Sequence, residues 1–390
     1  MINHRTAMAE PRGVERLAAQ WDAFCDGLRA AGHDTLATAA NSPDAADGLA
    51  QFGMLLEASL RWNLRGGDPD NPRFIEINDT PEVADNLFAA VKGGAAYRVS
   101  GDVSSLFDIN LSVHSSWAWL KPSKPTGDLG LAELEVADDG RVDIFLGGEP
   151  RSRNWLALPD DAQFIQIREY HADYSSHRPG QWDIERIDGK PPAPDRLSAE
   201  AASQKLLAAL EWARRYASFH QAALSFTFPD APNALRPPAP HAGGNSHIWY
   251  GFGRFALEEE QALVLEFDEP KARLWSVQWL LDPWYESPDL LARMTGIVGS
   301  EAHVDGDGKV RIVFAGRDPG VRNWLNVSGY PRGLFVTRWI WCDEGPQTRL
   351  SVVPVARLRS FLAPDTPQVT PEQRAAQLRR RRTHFVHRRR

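Results

Sequence analysis

The sequence predicts a mainly β chain with helical additions, built as a tandem duplication of an antiparallel, jelly-roll-like β-sandwich unit with a helix before each copy. Three observations predict this class: motifs that recur in both halves, short strand-like runs with period-two alternation, and turn signals between them. The 390 residues exceed one ordinary compact core, so we expect more than one domain. Apolar residues make up 43% and charged residues 24%, which is typical of a globular protein.

The repeat is long and covers most of the chain. The run Asp-Gly-Arg-Val-Asp-Ile-Phe at 139–145 recurs as Asp-Gly-Lys-Val-Arg-Ile-Val at 307–313. Arg-Asn-Trp-Leu is found at both 153–156 and 322–325. Asp-Gly between strand-like runs is a strong hairpin signal, so the pattern favours antiparallel sandwiches over a βαβ arrangement.

We predict five segments along the chain. They are an N-terminal helical segment (1–65), a first β unit (66–192), a linking helix (193–225), a second β unit (226–360) and a basic helical tail (361–390). Ser198 is placed to cap the linking helix. Thr370, followed by Pro371 and Gln373, has the pattern of a capping box at the start of the tail helix.

Charge and cysteine content exclude several classes of protein. The formal net charge is −7, although the tail carries eight Arg against Asp365 and Glu372. An acidic body with a basic tail does not suggest a general nucleic-acid binder, so we expect a solvated or docking tail whose protein partner is unknown. Two cysteines cannot form a disulfide framework, and no apolar run is long enough for a membrane span. We therefore expect a cytoplasmic protein.

The sequence predicts no metal and no cofactor. The eleven His show no His-x3-His spacing or compact His and carboxylate motif, and no Walker loop is present. The Gly-Phe-Gly at 251–253 is too short and wrongly flanked for a dinucleotide fingerprint.

Candidate acids or bases lie on two strands of the repeat. Alternation over 107–114 puts Asp108, Asn110, Ser112 and His114 on one strand face. In the second unit, the residue predicted to correspond to His114, at an offset of 168 residues, is Asp282. The polar face of an antiparallel sheet usually contacts water. The alternative is a pocket wall with His114 or Asp282 as a general acid or base, although no nucleophile with a fixed partner is evident.

A buried arginine is the most informative charged residue. Alternation places Arg338 with Leu334, Val336 and Ile340 on a face that should be buried, and a buried guanidinium needs a partner. The candidate partners are Asp318, Asp282 or an anionic group on a ligand. The corresponding residue of the first unit is Arg168. A structural salt bridge and a ligand clamp both remain open.

Aromatic residues supply the remaining candidates. The chain has 14 Trp and 17 Phe, and the segment 281–286 puts Trp284 and Tyr285 beside two carboxylates on a loop. Trp117 and Trp119 lie after the polar strand of the first unit. The Asn154-Trp155 and Asn323-Trp324 pairs most often form a turn in which Asn bonds the backbone and Trp fills the core.

The paired segments resemble a known bacterial family. They include Gly-Asp-Pro-Asp-Asn-Pro at 67–72 and Ala-Tyr-Arg-Val-Ser-Gly at 96–101, then Gly-Gly-Glu at 147–149, Asp-Pro-Trp-Tyr-Glu-Ser at 282–287 and Asp-Pro-Gly-Val-Arg-Asn-Trp-Leu at 318–325. This set is similar to the family whose C-terminal region is called domain of unknown function 1214, over about residues 60–355. The resemblance implies a soluble β-sandwich protein and no assigned catalytic residues.

Three functional interpretations follow. The first is a protein that binds a small apolar or aromatic ligand, optionally anionic, through Trp284, Tyr285, Trp117, Trp119, Asn323 and Asp318, with Arg338 and Arg168 fixing an anionic group. The second is an enzyme of hydrolase or lyase type that uses His114 or Asp282 as acid or base and an arginine as electrostatic clamp. The third is a structural or interaction protein whose Trp residues only fill the core.

Overall fold

The structure is a computed structural model that describes residues 11–38, 45–77, 82–122, 125–174, 178–189, 197–241, 245 and 247–388. Its α-helices are α1 (Pro11–Thr38), α2 (Ala45–Arg61), α3 (Ala199–Thr227), α4 (Leu358–Phe361) and α5 (Pro371–Arg388). A π-helical turn, Trp62–Gly66, extends α2, and short 3-10 helices lie at Leu131–Glu133, Gly299–Glu301 and Val355–Arg357. As predicted, Ser198 Oγ accepts a hydrogen bond from the Ala201 amide at the start of α3.

The strands fall into two groups on either side of α3. The first group is β1 (Ile75–Glu76), β2 (Ala84–Ala90), β3 (Tyr97–Asp102), β4 (Asp108–His114), β5 (Pro125–Gly130), β6 (Arg141–Leu146), β7 (Trp155–Leu156), β8 (Phe164–Tyr170) and β9 (Gln181–Arg186). The second group is β10 (Ala234–Leu235), β11 (Ala239–Pro240), β12 (Ile248–Ala256), β13 (Gln261–Asp268), β14 (Leu274–Leu280), β15 (Gly296–Val298), β16 (Lys309–Ala315), β17 (Trp324–Asn326), β18 (Arg332–Ile340) and β19 (Thr348–Pro354).

Each group forms two sheets with the same strand order. Sheet A has the order β1-β2-β8-β4-β5 and sheet B the order β7-β6-β3-β9. In the second group, sheet C has the order β10-β12-β18-β14-β15, with β11 beside β12, and sheet D the order β17-β16-β13-β19. Neighbouring strands are antiparallel except for the parallel pairs β6–β7 and β16–β17. The predicted class, mainly β with helical additions and repeated sandwich units, is confirmed.

Alternation along the strands builds one core inside each sandwich. Between sheets A and B lie side chains such as Ile109, Leu111 and Ile165, all fully buried. Between sheets C and D lie larger side chains, among them Trp279 and Trp339. Several of the 14 Trp therefore act as core filler, because a large rigid side chain buries much apolar surface at little cost in conformational entropy.

The strand register differs from the predicted offset by two residues. Asn110 pairs with Arg168 in sheet A, and Ser276 pairs with Arg338 in sheet C, so the two strands correspond at an offset of 166. The position of His114 therefore matches Leu280 rather than Asp282. A shift of two residues leaves the alternation unchanged, and for that reason the sequence pattern could not detect it.

The Asp-Gly turns are also placed differently from the prediction. Gly140 and Gly308 have φ of +83° and +78°, which suits a tight turn at the start of β6 and β16. The preceding strands β5 and β15, however, lie in the opposite sheet of the sandwich. The two turns therefore connect sheets and do not close a hairpin between adjacent strands.

The polar rows of β4 and β14 do not face water, contrary to expectation. Asp108, Asn110 and Ser112 are buried, and Ser276 and Gln278 are fully buried. They lie on the outer faces of sheets A and C, which contact each other where Tyr170 and Ile340 share one apolar cluster. The helices cover the rest: Trp212 of α3 packs on the sheet A side, and Leu224 of α3 packs on sheet C.

The basic tail docks onto its own chain, which is the second of the two expected alternatives, a solvated or a docking tail. Thr370 and Gln373 form the predicted capping box, at 3.3 Å and 2.9 Å, and α5 follows. Arg374, Arg381 and Arg388 recur every seven residues, which puts them on one face of the helix, and all three are buried.

Each buried arginine of α5 binds a carboxylate. Arg374 contacts Asp318 of the second sandwich at 2.8 Å, and Arg388 contacts Asp85 of the first with two hydrogen bonds of 2.5 and 2.9 Å. Arg381 binds Glu82, the Thr295 hydroxyl at 2.6 Å and the backbone carbonyls of residues 290 and 296. Helix α5 thus ties the two sandwiches together.

We expect Arg381→Met to lower the free energy of unfolding by about 3–5 kcal/mol, because it leaves the Glu82 carboxylate buried without its cation. Arg380 provides the control: its side chain is 43% exposed and its partner Glu301 also pairs with Arg322, so Arg380→Met should cost less than about 1 kcal/mol. The double variant Glu82→Leu with Arg381→Met should recover part of the loss, as no charge then stays uncompensated. Urea denaturation measures all three, and equal stability of the two single variants would contradict the prediction.

Candidate ligand-binding site

A cavity of about 930 Å³ lies between the outer faces of sheets A and C. Its floor is formed where the two sheets approach each other, by Ala84 and Tyr170 from the first sandwich and Ile248 from the second. The C-terminal half of α3 and the proline-containing segment 236–241 form the remaining walls. The volume lies within the range of ordinary small-molecule sites.

Arg338 lines this cavity and is buried, with 3% of its surface exposed. The only hydrogen-bond acceptor that the described residues offer its guanidinium is Gln278 Oε1, at 3.2 Å. The two carboxylates expected as partners are occupied elsewhere: Asp282 binds Arg254 at 2.5 Å, and Asp318 binds Arg374. The predicted salt bridges of Arg338 are therefore absent from the described part of the chain.

Comparison with the other buried arginines makes Arg338 unusual. Within the described ranges, four arginines are buried: Arg338, Arg374, Arg381 and Arg388. The three on α5 each pair with a carboxylate, whereas Arg338 does not. A buried cation normally has a counter-charge, because removing it from water is costly. An anion bound in the cavity would supply one.

Arg168 lines the same cavity from the opposite sheet. Its Nε donates to Asn86 Oδ1 at 3.0 Å, which orients the half-buried guanidinium. Arg168 and Arg338 each lie two residues before the residue at the seam of the two sheets, Tyr170 and Ile340 respectively. They consequently approach the floor of the cavity from its two sides.

The walls are aromatic. The rings of Tyr250 and Phe252 are parallel to within 7°, and Tyr285 stacks on His220 of α3 with the ring centroids 5.3 Å apart. Trp119 also lines the cavity, and its buried indole N–H has no hydrogen-bond partner among the described residues. Flat apolar walls with a few polar donors are typical of small-molecule sites.

The described lining residues carry positive charge and no carboxylate. A third arginine, Arg236, lies on the rim and donates to the Phe228 carbonyl at 2.9 Å. Two histidines near Arg168 are affected by its positive charge. Burial and the charge of Arg168 lower the pKa of both His114 and His247 to about 4. Burial raises the pKa of Tyr170 to about 12, so its hydroxyl stays protonated.

The two predicted acid–base residues are not among the described residues that line the cavity. His114 stacks on Phe164 with the ring centroids 4.9 Å apart and shares a 2.9 Å hydrogen bond with Ser112. Asp282 lies beyond β14 in the ion pair with Arg254, and burial raises its pKa. The structure therefore brings His114 within electrostatic reach of Arg168, but neither residue of the predicted pair is among the described residues that line the cavity with Arg338.

Of the other aromatic residues predicted to contact a ligand, two line the cavity and two do not. Trp119 and Tyr285 line the cavity, whereas Trp117 packs behind Trp119 in the cluster between sheet A and the helices. Trp284 is buried against the core of the second sandwich, and its carbonyl accepts a hydrogen bond from Gln51 of α2. Neither of the two is therefore positioned on an exposed loop.

The Asn-Trp pairs have equivalent structural roles. Asn323 donates to the His303 carbonyl at 2.7 Å and accepts from the His303 amide, while Trp324 Nε1 donates to the carbonyl of Ala315. Asn154 binds the backbone of Glu135 in the same way. Asn323 thus fixes a turn, as generally expected for these pairs, and it is not among the described residues that line the cavity.

A second concave surface, of about 820 Å³, lies on the outer face of sheet B. Its charged side chains are mostly exposed, and they pair locally, as Arg98 does with Glu185 and Arg153 with Glu135.

Among the described residues, no group of three or more His, Cys, Asp or Glu could hold a metal ion. None of the helices in the described part is long and apolar enough to span a bilayer.

Sequence reasoning did not identify several cavity residues. Phe219, His220 and Phe226 come from the linking helix, and Tyr250 and Phe252 come from β12. Tyr250, Phe252 and Arg254 have period-two spacing on β12, but nothing in the sequence indicates which surface that strand face contacts.

Comparison with known proteins gives information on the fold alone. No known protein-family profile matches the chain, and no curated protein is similar to it. The crystal structure of an uncharacterised protein from Burkholderia cenocepacia matches with a TM-score of 0.78 and 27% identity, over 88% of this chain and 99% of that one. A protein from Vibrio parahaemolyticus matches with a TM-score of 0.45 and 12% identity, over 77% and 98% of the two chains.

We expect the contribution of His114 to the free energy of unfolding to fall as the pH drops from about 6.5 to 4. Because burial lowers the pKa of His114 to about 4, the unfolded chain binds a proton in this window that the folded chain does not. His114→Gln should make the slope shallower by up to about 1.4 kcal/mol per pH unit. Denaturation in urea at a series of pH values tests this, and an unchanged slope would show that His114 is protonated normally in the fold.

Proposed function

We propose that the chain is a binding protein for a small organic anion with an apolar or aromatic body, held in the cavity between sheets A and C. The observation that carries the proposal is Arg338, a buried guanidinium that lines the cavity and lacks a carboxylate partner within the described residues. A carboxylate, sulfate or phosphate group there would accept its hydrogen bonds and balance its charge.

The second arginine supports the same interpretation. Arg168 and Arg338 line one cavity, and like charges in a partly dry space repel each other. An anion between them converts this repulsion into two favourable interactions. The shared strand order of the sandwiches and the paired sequence motifs also support an internal duplication that supplied one arginine from each copy.

The remaining surface suits an apolar body. Trp119, Tyr250, Phe252 and Tyr285 present ring faces, and the unpartnered Trp119 N–H can donate to a polar atom of the ligand. The enzyme interpretation has less support, because His114 and Asp282 are not among the described lining residues and their hydrogen bonds go to Ser112 and Arg254. Membership of the domain of unknown function 1214 family stays a prediction and adds no activity.

The test is Arg338→Met, which keeps the length of the side chain and removes its charge. Thermal shift and tryptophan fluorescence would screen aromatic, steroidal, terpenoid and fatty carboxylates, sulfates and phosphates against the wild type and the variant. We expect compounds that stabilise the wild type to bind the variant roughly 10- to 150-fold more weakly, because a hydrogen bond to a charged group is lost.

Arg332→Met is the matched control, since Arg332 is on the same strand and is exposed. Without ligand, we expect Arg338→Met to melt at the same temperature as the wild type or higher, because it removes a buried charge that has no ionic partner among the described residues. A strongly destabilised Arg338→Met, together with no anion that stabilises the wild type, would mean that Arg338 is structural.

A further inference from the structure

The cavity has two of its three arginines in the interior, and apart from Arg236 and His241 its exposed lining residues are apolar. At the floor lie Arg338, 3% exposed, and Tyr170, fully buried, with Arg168 beside them. The exposed lining residues are Ala118, Pro122, Phe219, Phe226, Arg236, Pro237, Ala239, Pro240 and His241. Ordinary protein surface has the reverse arrangement, because charged side chains are solvated and large apolar ones are buried.

The floor defines where a charged group would bind. Tyr170 and Ile340 close the space between the sheets. Arg168 and Arg338 lie two residues before them, on β8 and β18 respectively. Two residues of a strand span roughly 6–7 Å, so the guanidiniums flank the innermost part of the cavity. A ligand anion must reach this depth to contact both.

The rim shows what should follow the charged group. Phe219 and Phe226 are seven residues apart, two turns of α3, and therefore lie on the same face of the helix. Phe226 is 64% exposed and Phe219 is 39% exposed, although both line the cavity. The opposite side of the rim contains Pro237 and Pro240, which add further apolar surface without backbone donors.

We propose that the ligand is a single-chain amphiphilic acid that enters head first. Its anionic head binds between Arg168 and Arg338, and its alkyl chain runs along α3 and covers Phe219 and Phe226 at the rim. The inference rests on the proposed function and specifies its ligand class. A compact anion would leave the rim exposed, and a neutral lipid would leave Arg338 without a counter-charge.

A chain-length series tests this assignment. Isothermal titration with straight-chain carboxylates from hexanoate to hexadecanoate should show affinity rising roughly fourfold per added methylene, and then a plateau once the chain passes the rim. Matched alcohols should bind at least about tenfold more weakly. Alkyl sulfates and alkyl phosphates of one length distinguish between the possible anionic heads.

The rim variant is the double substitution Phe219→Ser with Phe226→Ser, whose side chains are exposed enough to be replaced without loss of the core. It should weaken the binding of long chains by about tenfold and leave hexanoate within about twofold. The control is Leu207→Ser on the same helix, since Leu207 is 38% exposed and is not among the described lining residues.

The outcomes separate this inference from the function on which it rests. If short anions bind in an Arg338-dependent manner, but affinity does not rise with chain length or the rim variant affects short and long chains equally, the amphiphile assignment is wrong and the binding function stands. If neutral alcohols bind as tightly as the acids, the head-first orientation is overturned. If no anion binds in an Arg338-dependent manner, both proposals fail.

Discussion

The buried ion pair of Glu82 with Arg381 fixes how the parts that enclose the cavity are arranged. Glu82 precedes the first long strand of sheet A, Arg381 is on α5, and the guanidinium also binds Thr295 next to a strand of sheet C. Burial alone would raise the pKa of Glu82, but Arg381 and the hydroxyls of Thr295 and Tyr174 keep it below its ordinary value. A fully satisfied charge pair of this kind tolerates little displacement, so it fixes the sandwiches relative to each other.

The same chain therefore uses buried arginines in two ways. Arg381 has a carboxylate, a hydroxyl and two backbone carbonyls around it, which saturates its donors. Among the described residues, Arg338 has one hydrogen-bond acceptor, the amide oxygen of Gln278, and it lines a cavity with aromatic walls. The first arrangement stabilises the fold by itself, whereas the second supports the proposal that the cavity binds an anion.

Prediction from sequence succeeded where a local pattern carries the information. Period-two alternation correctly placed Ile109 and Leu111 in a core and Arg338 on a buried face, and the capping signals at Ser198 and Thr370 were right. It failed where two elements distant in the chain meet. The predicted equivalence of His114 and Asp282 in the two copies was wrong by two residues, because alternation repeats every two residues and cannot fix the register.

The tail and the cavity show the same limit. A run of arginines is solvated in most contexts. Here Arg374, Arg381 and Arg388 are buried, because the carboxylates of Asp318, Glu82 and Asp85 pair with them where α5 docks. The sequence by itself determined the strands, their faces, the helix starts and the presence of an arginine that needs a partner, since these depend on neighbours along the chain. Only the tertiary structure decided that no carboxylate among the described residues pairs with Arg338 and that two sheets form the walls of a cavity, because charge compensation and enclosure depend on residues far apart in the chain.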